Sequence, residues 1–380
     1  MNLCVASPSG PGYSETFIQM QFEQLPCVLR IHGGPVASET IPGGAIGWSK
    51  SPAGMLDMLR ALGSTANRQM TLQTHELRRR LRRGSVDAVL ANYGRTGVAL
   101  LPLCRELSIP LVVHFHGYDG HMKSEIARWG EGYRDLGREC AQVIAVSERM
   151  RAALVGLGIP ADKITLIRYG VDSERFWPRV ALPEVPLFFG VGRFVDKKAP
   201  YLTLLAFEQV RRKHPEARLV LAGDGPLFET MHNLVEAFGL AGAVEFPGIL
   251  SPDEVARWMR RASAFVQHSV TPRVGPNAGD SEGTPVAMLE AMMIGLPVIG
   301  TRHAGLGEVI EHGVTGLLVD ERDVDGMAAA MRQVIESPAE ADRMGEAGRR
   351  LALDHHTSFR YMQQLGDVLK SCVAGAFVRS

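Results

Sequence analysis

Two glutamates bracket a glycine-threonine-proline turn in the segment GDSEGTPVAMLEAMMI, residues 279–294. Glu282 precedes the turn, and Glu290 follows after seven intervening residues that become wholly apolar. Thr284 can cap a helix, and Pro285 suits its first turn because proline lacks the backbone donor that this position leaves unused. We therefore predict a helix from about Thr284, whose free N–H groups and positive dipole end form an anion site.

The two carboxylates lie on either side of this anion site. With a rise of 1.5 Å per residue, Glu290 is placed about 7 Å further along the helix axis than its start. A carboxylate only accepts hydrogen bonds, and a vicinal diol offers two donors to it. The spacing indicates a phosphate at the helix start with a hydroxylated ring at each glutamate.

A second segment, GVGRFVDKKAP at residues 190–200, carries two cations at the end of a predicted strand. Gly190 and Gly192 allow close approach of the backbone, Arg193 offers a planar fork of donors, and Lys198 offers a point charge. Together the two cations could neutralise a diphosphate without a metal. A strand turn with a solvated basic edge is the alternative.

A third segment, LVVHFHGYDG at residues 111–120, ends a predicted strand of the first half of the chain. We expect His116, Gly117 and Asp119 at its carboxyl edge, facing the other sites. Because side chains alternate along a strand, His114 and His116 share one face. For a single histidine, packing in the core is the competing interpretation.

The elements that must position these segments form an α/β pattern in which apolar strands alternate with amphipathic helices, as in a doubly wound parallel sheet. The predicted strands of the first half are residues 2–7, 27–33, 87–93, 111–117, 142–147 and 164–170, with helices that include 14–25, 71–83 and 146–156. Three prolines interrupt the pattern, and residues 173–185 are predicted to be a linker.

The pattern restarts in the second half, with predicted strands at residues 186–194, 217–223, 244–248, 264–269, 296–301 and 315–319. We predict two Rossmann-like domains that face each other across a cleft, since ligands bind at the carboxyl ends of such strands. The predicted boundaries are 1–175 for the first domain, 176–355 for the second, and 356–380 for a C-terminal helix that crosses back to the first.

The composition of the chain narrows its possible binding partners and its cellular compartment. Lys plus Arg and Asp plus Glu each total 41 in 380 residues, so no global charge favours nucleic acid. The five cysteines are widely separated, which argues against a zinc cage or disulfide framework. With no signal peptide or membrane-spanning run, we predict a cytoplasmic protein.

The basic cluster RRRLRR at residues 78–83 is interpreted as a solvated helix end. Contact of this cluster with anionic lipid at the inner membrane face is the less favoured alternative.

In combination these segments resemble the retaining glycosyltransferases of family 4, which have the two-domain GT-B fold. The resemblance also rests on VIAVSERM (143–150), RYGVDSERFWP (168–178), LVLAGDGP (219–226) and GLPVIGTRHAGLGEVIEHGVTGLLVDERD (295–323). It covers nearly the whole chain and is strongest from about residue 140 to 335. The segment around the two glutamates reads HSVTPRVGPNAGDSEGTPVAMLEAM, and this form is most similar to exopolysaccharide-type transferases, such as those for colanic acid and amylovoran.

The resemblance implies a role for each matching residue. Arg193 and Lys198, beside Gly192, would bind the donor diphosphate, and Glu290 the ribose. Glu282 would bind the hydroxyls of the transferred sugar, and His116 would reach across the cleft to the reacting centre. The remaining implied contacts are the backbone of Gly283, Thr284, Pro285 and Val286 around sugar and phosphate, and Gly248, Ile249 and Leu250 at the nucleobase.

The family also implies a reaction. A hexose would pass from a nucleotide diphosphate sugar to a lipid-linked or oligosaccharide hydroxyl, with retention at the anomeric carbon and with no metal or other cofactor. Family enzymes are thought to react on one sugar face, where the departing phosphate oxygen accepts the acceptor's proton. Glu282 would then stabilise rather than attack. The sequence offers no compelling Asp-x-Asp metal motif, since DVD at 323–325 lies at a predicted helix start.

The acceptor side departs from the family pattern. Many relatives carry a Gly-Gly turn after the first strand, but here a proline separates Gly10 from Gly12. The contribution of Gly12 and Tyr13 to phosphate or acceptor binding therefore stays open, as does that of Asp119. The long, irregular segment 33–53 is predicted to be a mobile acceptor loop.

Two other functions fit the same scaffold. A nucleotide-sugar epimerase would consume donor without an acceptor. A catalytically silent GT-B partner would bind a nucleotide sugar or help to assemble a polysaccharide complex, although the intact set of site residues favours an enzyme. A nicotinamide dehydrogenase is disfavoured, because no GxGxxG follows the first strand and no acid lies about 20 residues beyond.

Overall fold

Two β-sheets with intervening helices form the computed structural model, which describes residues 1–10, 12, 15–32, 38–39, 65–179 and 183–377. The first sheet has the order β3-β2-β1-β4-β5-β6-β7 and is parallel except for β3. Its strands are β1 (Leu3–Ser7), β2 (Cys27–His32), β3 (Ser38–Glu39), β4 (Ala88–Asn92), β5 (Leu111–His114), β6 (Gln142–Ala145) and β7 (Ile164–Leu166). Every residue of the central strands β1, β4 and β5 is buried, as expected for parallel strands covered on both faces.

Helices connect the strands of the first sheet. They are α1 (Thr16–Gln24), α2 (Thr65–Arg83), α3 (Gly94–Leu107), α4 (Tyr118–His121), α5 (Lys123–Glu139) and α6 (Glu148–Gly156). Ser147 caps α6 by accepting a hydrogen bond from the N–H of Met150. Capping of this kind sets the start of a helix, because the first-turn N–H groups have no intrahelical partner.

The second sheet is parallel and has the order β10-β9-β8-β11-β12-β13. Its strands are β8 (Leu187–Val191), β9 (Arg218–Ala222), β10 (Val244–Glu245), β11 (Ala264–Val266), β12 (Val298–Thr301) and β13 (Leu317–Val319), and its helices are α7 (Pro200–Arg211), α8 (Phe228–Ala237), α9 (Pro252–Arg261), α10 (Val286–Ile294), α11 (Val324–Glu336) and α12 (Pro338–His355). The order reverses between β8 and β11, which marks the point where ligands bind in such sheets. The predicted α/β class with two doubly wound sheets is confirmed.

The last helix, α13 (Ser358–Phe377), packs against the first sheet rather than the second. Residues 170 and 171 lie against its start, where Val171 forms a parallel bridge with Thr357. Gln21 of α1 donates a hydrogen bond from Nε2 to the hydroxyl of Tyr361 at 2.7 Å. The end of the chain therefore contributes a polar and apolar contact to the first domain.

Two predicted element ends were wrong. The strand predicted over 111–117 ends at His114, so His116 and Gly117 lie in the loop beyond it and Asp119 lies in α4. The helix predicted from about Thr284 begins at Val286, with Pro285 at its N-cap. Both shifts occur where the chain meets the other domain, and tertiary contacts there override the local pattern.

The basic cluster forms the end of α2, and much of its charge is paired within the protein. Arg78 donates from Nε and Nη2 to the carboxylate of Glu106, at 2.7 Å each, and Arg79 and Arg80 pair with Glu76. These ion pairs support the solvated helix end. Among the described residues, no helix has the length and apolar composition needed to cross a membrane.

Replacing Tyr361 by alanine should destabilise the fold. The side chain is 1 % exposed, and its loss removes both packing and the hydroxyl that Gln21 contacts. We expect the free energy of unfolding to fall by about 3 to 5 kcal/mol, measured by chemical denaturation. Phe359→Ala, at a 76 % exposed position of the same helix, is the matched control and should change little. Equal effects of both variants would show that α13 does not dock as described.

Candidate functional site

The two domains touch through backbone at the candidate site. A Cβ on Gly283 would lie 2.7 Å from the carbonyl oxygen of His116 and 2.8 Å from Cγ2 of Val146. Gly117 has a φ of +146°, and a Cβ there would lie 3.0 Å from the nitrogen of Gly283. Only glycine permits so close an approach. The loop before α10 is therefore held against the loop after β5.

Glu282 lies in this contact as a buried carboxylate. Its Oε1 is 3.2 Å from Nζ of Lys198, whose ammonium also donates to Oε1 of Gln267 at 3.2 Å. Burial alone would raise the pKa of Glu282, but the ammonium groups of Lys198 and Lys197 outweigh it and lower that pKa to about 2. Glu282 is therefore ionised at neutral pH and can only accept hydrogen bonds.

Arg193 follows β8 and is exposed beside this ion pair. It lines one depression together with Gly192, Lys198 and Gln267. Its guanidinium makes no ion pair or hydrogen bond with any residue that the structure describes. A Cβ on Gly190 would lie 2.7 Å from the carbonyl oxygen of Val266, so Gly190 is required by sheet packing. The structure thus leaves Arg193 available to an anion at the carboxyl end of β8.

Glu290 contrasts with Glu282, because it is partly buried in α10 and has no hydrogen bond or ion pair within the described part of the chain. Burial raises its pKa from 4.5 to about 7, and the distant charge of Arg175 only partly offsets this. At the start of the same helix, the buried Oγ1 of Thr284 also lacks a hydrogen-bond partner. Two polar groups on this segment are therefore left without protein partners.

His116, which the resemblance places at the reacting centre, is buried with its ring hydrogen-bonded inside the first domain, and its contact with a donor sugar stays a prediction. Its side chain is 8 % exposed, and both ring nitrogens are hydrogen-bonded within the first domain. Nε2 is 2.8 Å from Oδ1 of Asn92, and Nδ1 is 2.8 Å from the hydroxyl of Tyr169. Because Asn92 donates its amide to Gln21, its Oδ1 is the acceptor and the proton of His116 is on Nε2. Burial keeps the pKa of His116 well below 6.5, so the ring is neutral.

Asp119 is fully buried and does not face an acceptor. Its carboxylate accepts the N–H groups of Gly94, His116 and Gly117, each at 3.0 Å. Burial raises its pKa to about 6, and these backbone donors limit the rise. Asp119 therefore shapes the loop after β5, and a direct contribution of this residue to acceptor binding stays an open prediction.

The remaining predicted positions lie in both domains, and three of them follow β10 at the edge of the second sheet. Gly248 has a φ of +74°, and its carbonyl accepts the N–H of Gly223 at 2.7 Å, while Ile249 is half exposed and Leu250 packs on the core. Gly12 forms a turn with Glu15 before α1. Tyr13 and nearly all of the segment 33–53 lie outside the described residues.

Sequence patterns did not identify two polar residues at the site. Gln267, after β11, contacts the ammonium of Lys198, and His303, after β12, accepts the N–H of Glu282 at 3.2 Å. Their only sequence signal is a polar residue directly after an apolar strand, and each strand end carries several. Within the described ranges, no group of three or more His, Cys, Asp or Glu side chains is placed to hold a metal ion.

Comparison with known proteins defines the class. The family model described as "Glycosyl transferases group 1" matches residues 173–351, and "Glycosyltransferase Family 4" matches residues 57–175. The crystal structure of Anabaena HepE in complex with UDP superposes with a TM-score of 0.76 at 18 % identity, covering 98 % of this chain and 100 % of HepE. The chain therefore has the GT-B fold.

Relatives of known name place the chain within that class. It is 33 % identical over 269 residues to the putative colanic acid biosynthesis glycosyltransferase WcaL of Escherichia coli, covering 70 % of this chain and 64 % of WcaL. It is 30 % identical over 271 residues to a GDP-mannose-dependent phosphatidylinositol monomannoside mannosyltransferase of Mycolicibacterium smegmatis, covering 68 % of this chain and 70 % of that protein. The chain belongs to glycosyltransferase family 4. It spans less than two thirds of the length of WcaL.

Glu290→Gln should stabilise the ligand-free protein at high pH. Because the pKa of Glu290 is higher in the folded protein, its favourable contribution is complete below pH 4.5 and is lost as the pH rises through about 7. At pH 8 we expect the variant to be more stable by about 1 to 3 kcal/mol, since one pKa unit corresponds to about 1.4 kcal/mol. At pH 4, below the usual pKa of 4.5, the difference should nearly vanish.

Chemical denaturation at both pH values measures this difference. Glu229→Gln, on an exposed position of α8, is the matched control and should be neutral at each pH. A Glu290→Gln variant that is less stable than the parent at pH 8 would contradict the unpaired carboxylate.

Proposed function

We propose that this chain transfers a hexose from a nucleoside diphosphate sugar to a hydroxyl acceptor, with retention at the anomeric carbon and without a metal ion or other cofactor. One observation carries the proposal: Arg193 lies unpaired beside Lys198, and Lys198 contacts the buried carboxylate of Glu282. An anionic group and a hydroxylated group can therefore bind side by side. This is the arrangement of a diphosphate joined to a sugar.

The cations stabilise the leaving group. As the bond from the anomeric carbon to the phosphate oxygen breaks, negative charge grows on the diphosphate. Lys198, held by Glu282 and Gln267, and the N–H groups at the start of α10 are fixed before that charge develops, so they favour the transition state over the ground state. Arg193 adds its positive charge from an exposed position beside them. Burial lowers the pKa of Lys198, and the nearby Glu282 carboxylate opposes this and supports the charged ammonium.

Glu282 positions the sugar and does not attack it. Retention by two displacements needs a carboxylate that is free to bond to the anomeric carbon. Glu282 is instead paired with Lys198, and its loop is held against the first domain through Gly283. We propose that the acceptor attacks the face from which the phosphate leaves, and that the departing phosphate oxygen takes the acceptor's proton.

Glu290 supplies the second recognition point. Its carboxylate is without a protein partner and would accept hydrogen bonds from the ribose hydroxyls. Ionisation of Glu290 then costs less in the complex, because two hydroxyl donors replace the missing solvent. The half-exposed Ile249, with Gly248, would contact the nucleobase.

The relatives support an acceptor from polysaccharide assembly. WcaL is named for colanic acid and AmsK of Erwinia amylovora for amylovoran biosynthesis, and AmsK is 28 % identical over 75 % of this chain. HepE was crystallised with UDP-glucose, whereas the mycobacterial relative is named as GDP-mannose-dependent. We therefore propose a uridine or guanosine diphosphate sugar as donor and a saccharide, free or lipid-linked, as acceptor.

Arg193→Ala should reduce sugar transfer. Loss of one preorganised donor to the leaving group should cost roughly 3 kcal/mol, or about 100-fold in kcat/KM. Turnover is measured as release of UDP or GDP from the corresponding nucleotide sugar. Arg218→Ala removes an exposed arginine from the opposite, amino end of the second sheet and should leave turnover unchanged. Parent-like turnover of Arg193→Ala would refute its role.

Thermal denaturation with UDP, GDP and ADP tests the donor, because a ligand that binds only the folded state stabilises it by mass action. One of these should raise the melting temperature, and the rise should be the same in EDTA as in Mg²⁺. A rise that disappears in EDTA would contradict the metal-independent site. Donor consumption that yields an isomerised nucleotide sugar, with no transfer, would indicate an epimerase.

A further inference from the structure

His303 is completely buried between two glutamates of the second domain. It lies just after β12, and its Nδ1 is 2.7 Å from Oε1 of Glu321. On the other side of the ring, Nε2 is 3.2 Å from the backbone nitrogen of Glu282. The imidazole therefore connects a carboxylate behind the site to the peptide that carries the Glu282 side chain.

The hydrogen bonds determine the tautomer. The backbone N–H of Glu282 can only donate, so Nε2 of His303 must carry a lone pair. The proton is then on Nδ1, from which it is donated to Glu321. A carboxylate partner at Nδ1 selects this tautomer and makes Nε2 a better acceptor.

Glu321 also holds the beginning of the same loop. Its Oε2 accepts the N–H of Thr271 at 2.9 Å, and its Oε1 accepts the hydroxyl of Thr271 at 3.1 Å. Burial opposes ionisation of Glu321, but the bonds from His303 and Thr271 lower its pKa. One ionised carboxylate thus fixes residue 271 directly and residue 282 through the imidazole, while Lys197 pairs with Asp280 between them at 3.0 Å.

We propose that His303 is a positioning residue, whose Nε2 lone pair orients the Glu282 peptide so that its carboxylate meets the donor sugar. The inference rests on the proposed function, since it assigns the sugar to Glu282. Without the acceptor that Nε2 of His303 provides, the buried N–H of Glu282 has no partner and the peptide group of Glu282 is free to rotate. The carboxylate would then lose its alignment with the sugar, although Arg193 and Lys198 would still hold the diphosphate.

Protonation of His303 should have the same effect as removing it. Burial lowers its pKa, the carboxylates of Glu321 and Glu282 act in the opposite direction, and Arg149 of α6 lowers it further. His121 of α4 also interacts electrostatically with the ring of His303. At neutral pH the ring is therefore neutral, and in acid a second proton on Nε2 would point at the N–H of Glu282. Turnover should fall in acid as this proton binds.

The experiment compares His303→Met with His303→Gln. Methionine fills the space without an acceptor, whereas the side-chain oxygen of glutamine can accept the N–H of Glu282 and does not titrate. For His303→Met we expect kcat to fall roughly 10- to 100-fold, because small misplacements of a positioned group cost rate steeply. Affinity for UDP or GDP, whichever stabilises the parent protein, should not change. For His303→Gln we expect most of the rate to return. At saturating donor, where the ribose hydroxyls favour ionised Glu290, kcat should fall less in acid than it does in the parent.

His312→Met is the matched control. Nδ1 of His312 accepts the N–H of Leu318 at 3.0 Å, which is the same type of bond in the same domain, away from Glu282. Its kcat and pH profile should match those of the parent. Melting temperatures of all variants show whether each is folded.

Two results would overturn the inference. His303→Met with parent-like kcat would show that the Glu282 peptide needs no anchor. Equal losses of rate and nucleotide affinity in both His303 variants would show a structural role. In either case an active parent leaves the proposed function intact. A parent that transfers no sugar from any nucleotide donor would instead refute the proposed function, and the inference with it.

Discussion

The buried negative charge of Glu282 is the interaction on which the candidate site depends. A carboxylate removed from water is costly unless cations and hydrogen-bond donors surround it. Lys198 supplies the cation from the turn after β8, and Gln267 after β11 holds that ammonium in place. The two strands are neighbours in the second sheet, at the point where its order reverses. The fold thus brings charge and countercharge together at the edge where parallel sheets bind ligands.

The two glutamates of the opening motif differ in a way that follows from their surroundings. Glu282 is ion-paired with Lys198, and its pKa is lowered to about 2, whereas Glu290 has no partner among the described residues and its pKa is raised to about 7. The unpaired carboxylate of Glu290 in α10 reduces the stability of the ligand-free protein. In the proposed function this cost is recovered when ribose hydroxyls bind. Burial and pairing, rather than residue type, separate the two roles.

The first domain shapes the site mainly through its backbone and a buried polar chain. Asp119 accepts three N–H groups, one from the first residue of α3 and two from the loop after β5, and this presents the carbonyl of His116 to Gly283. Behind that loop, hydrogen bonds run from Tyr169 through His116, Asn92 and Gln21 to Tyr361 of α13. The C-terminal helix is therefore connected to the loop that touches Glu282. His116 belongs to this framework, which its isolated place in the sequence could not reveal.

The sequence by itself determined the two doubly wound sheets and the family, and it pointed to the segments of the candidate site, because apolar periodicity and short glycine-rich motifs are local properties. It correctly placed Arg193 and Lys198 at the end of β8 and Glu282 before a helix. Only the tertiary structure decided that His116 and Asp119 are buried, that the helix begins at Val286, and that His303 holds the Glu282 peptide. Each of these depends on a partner 20 or more positions away, or on backbone contact between domains. Hydrogen-bond partners and desolvation are properties of the assembled fold, so no local pattern encodes them.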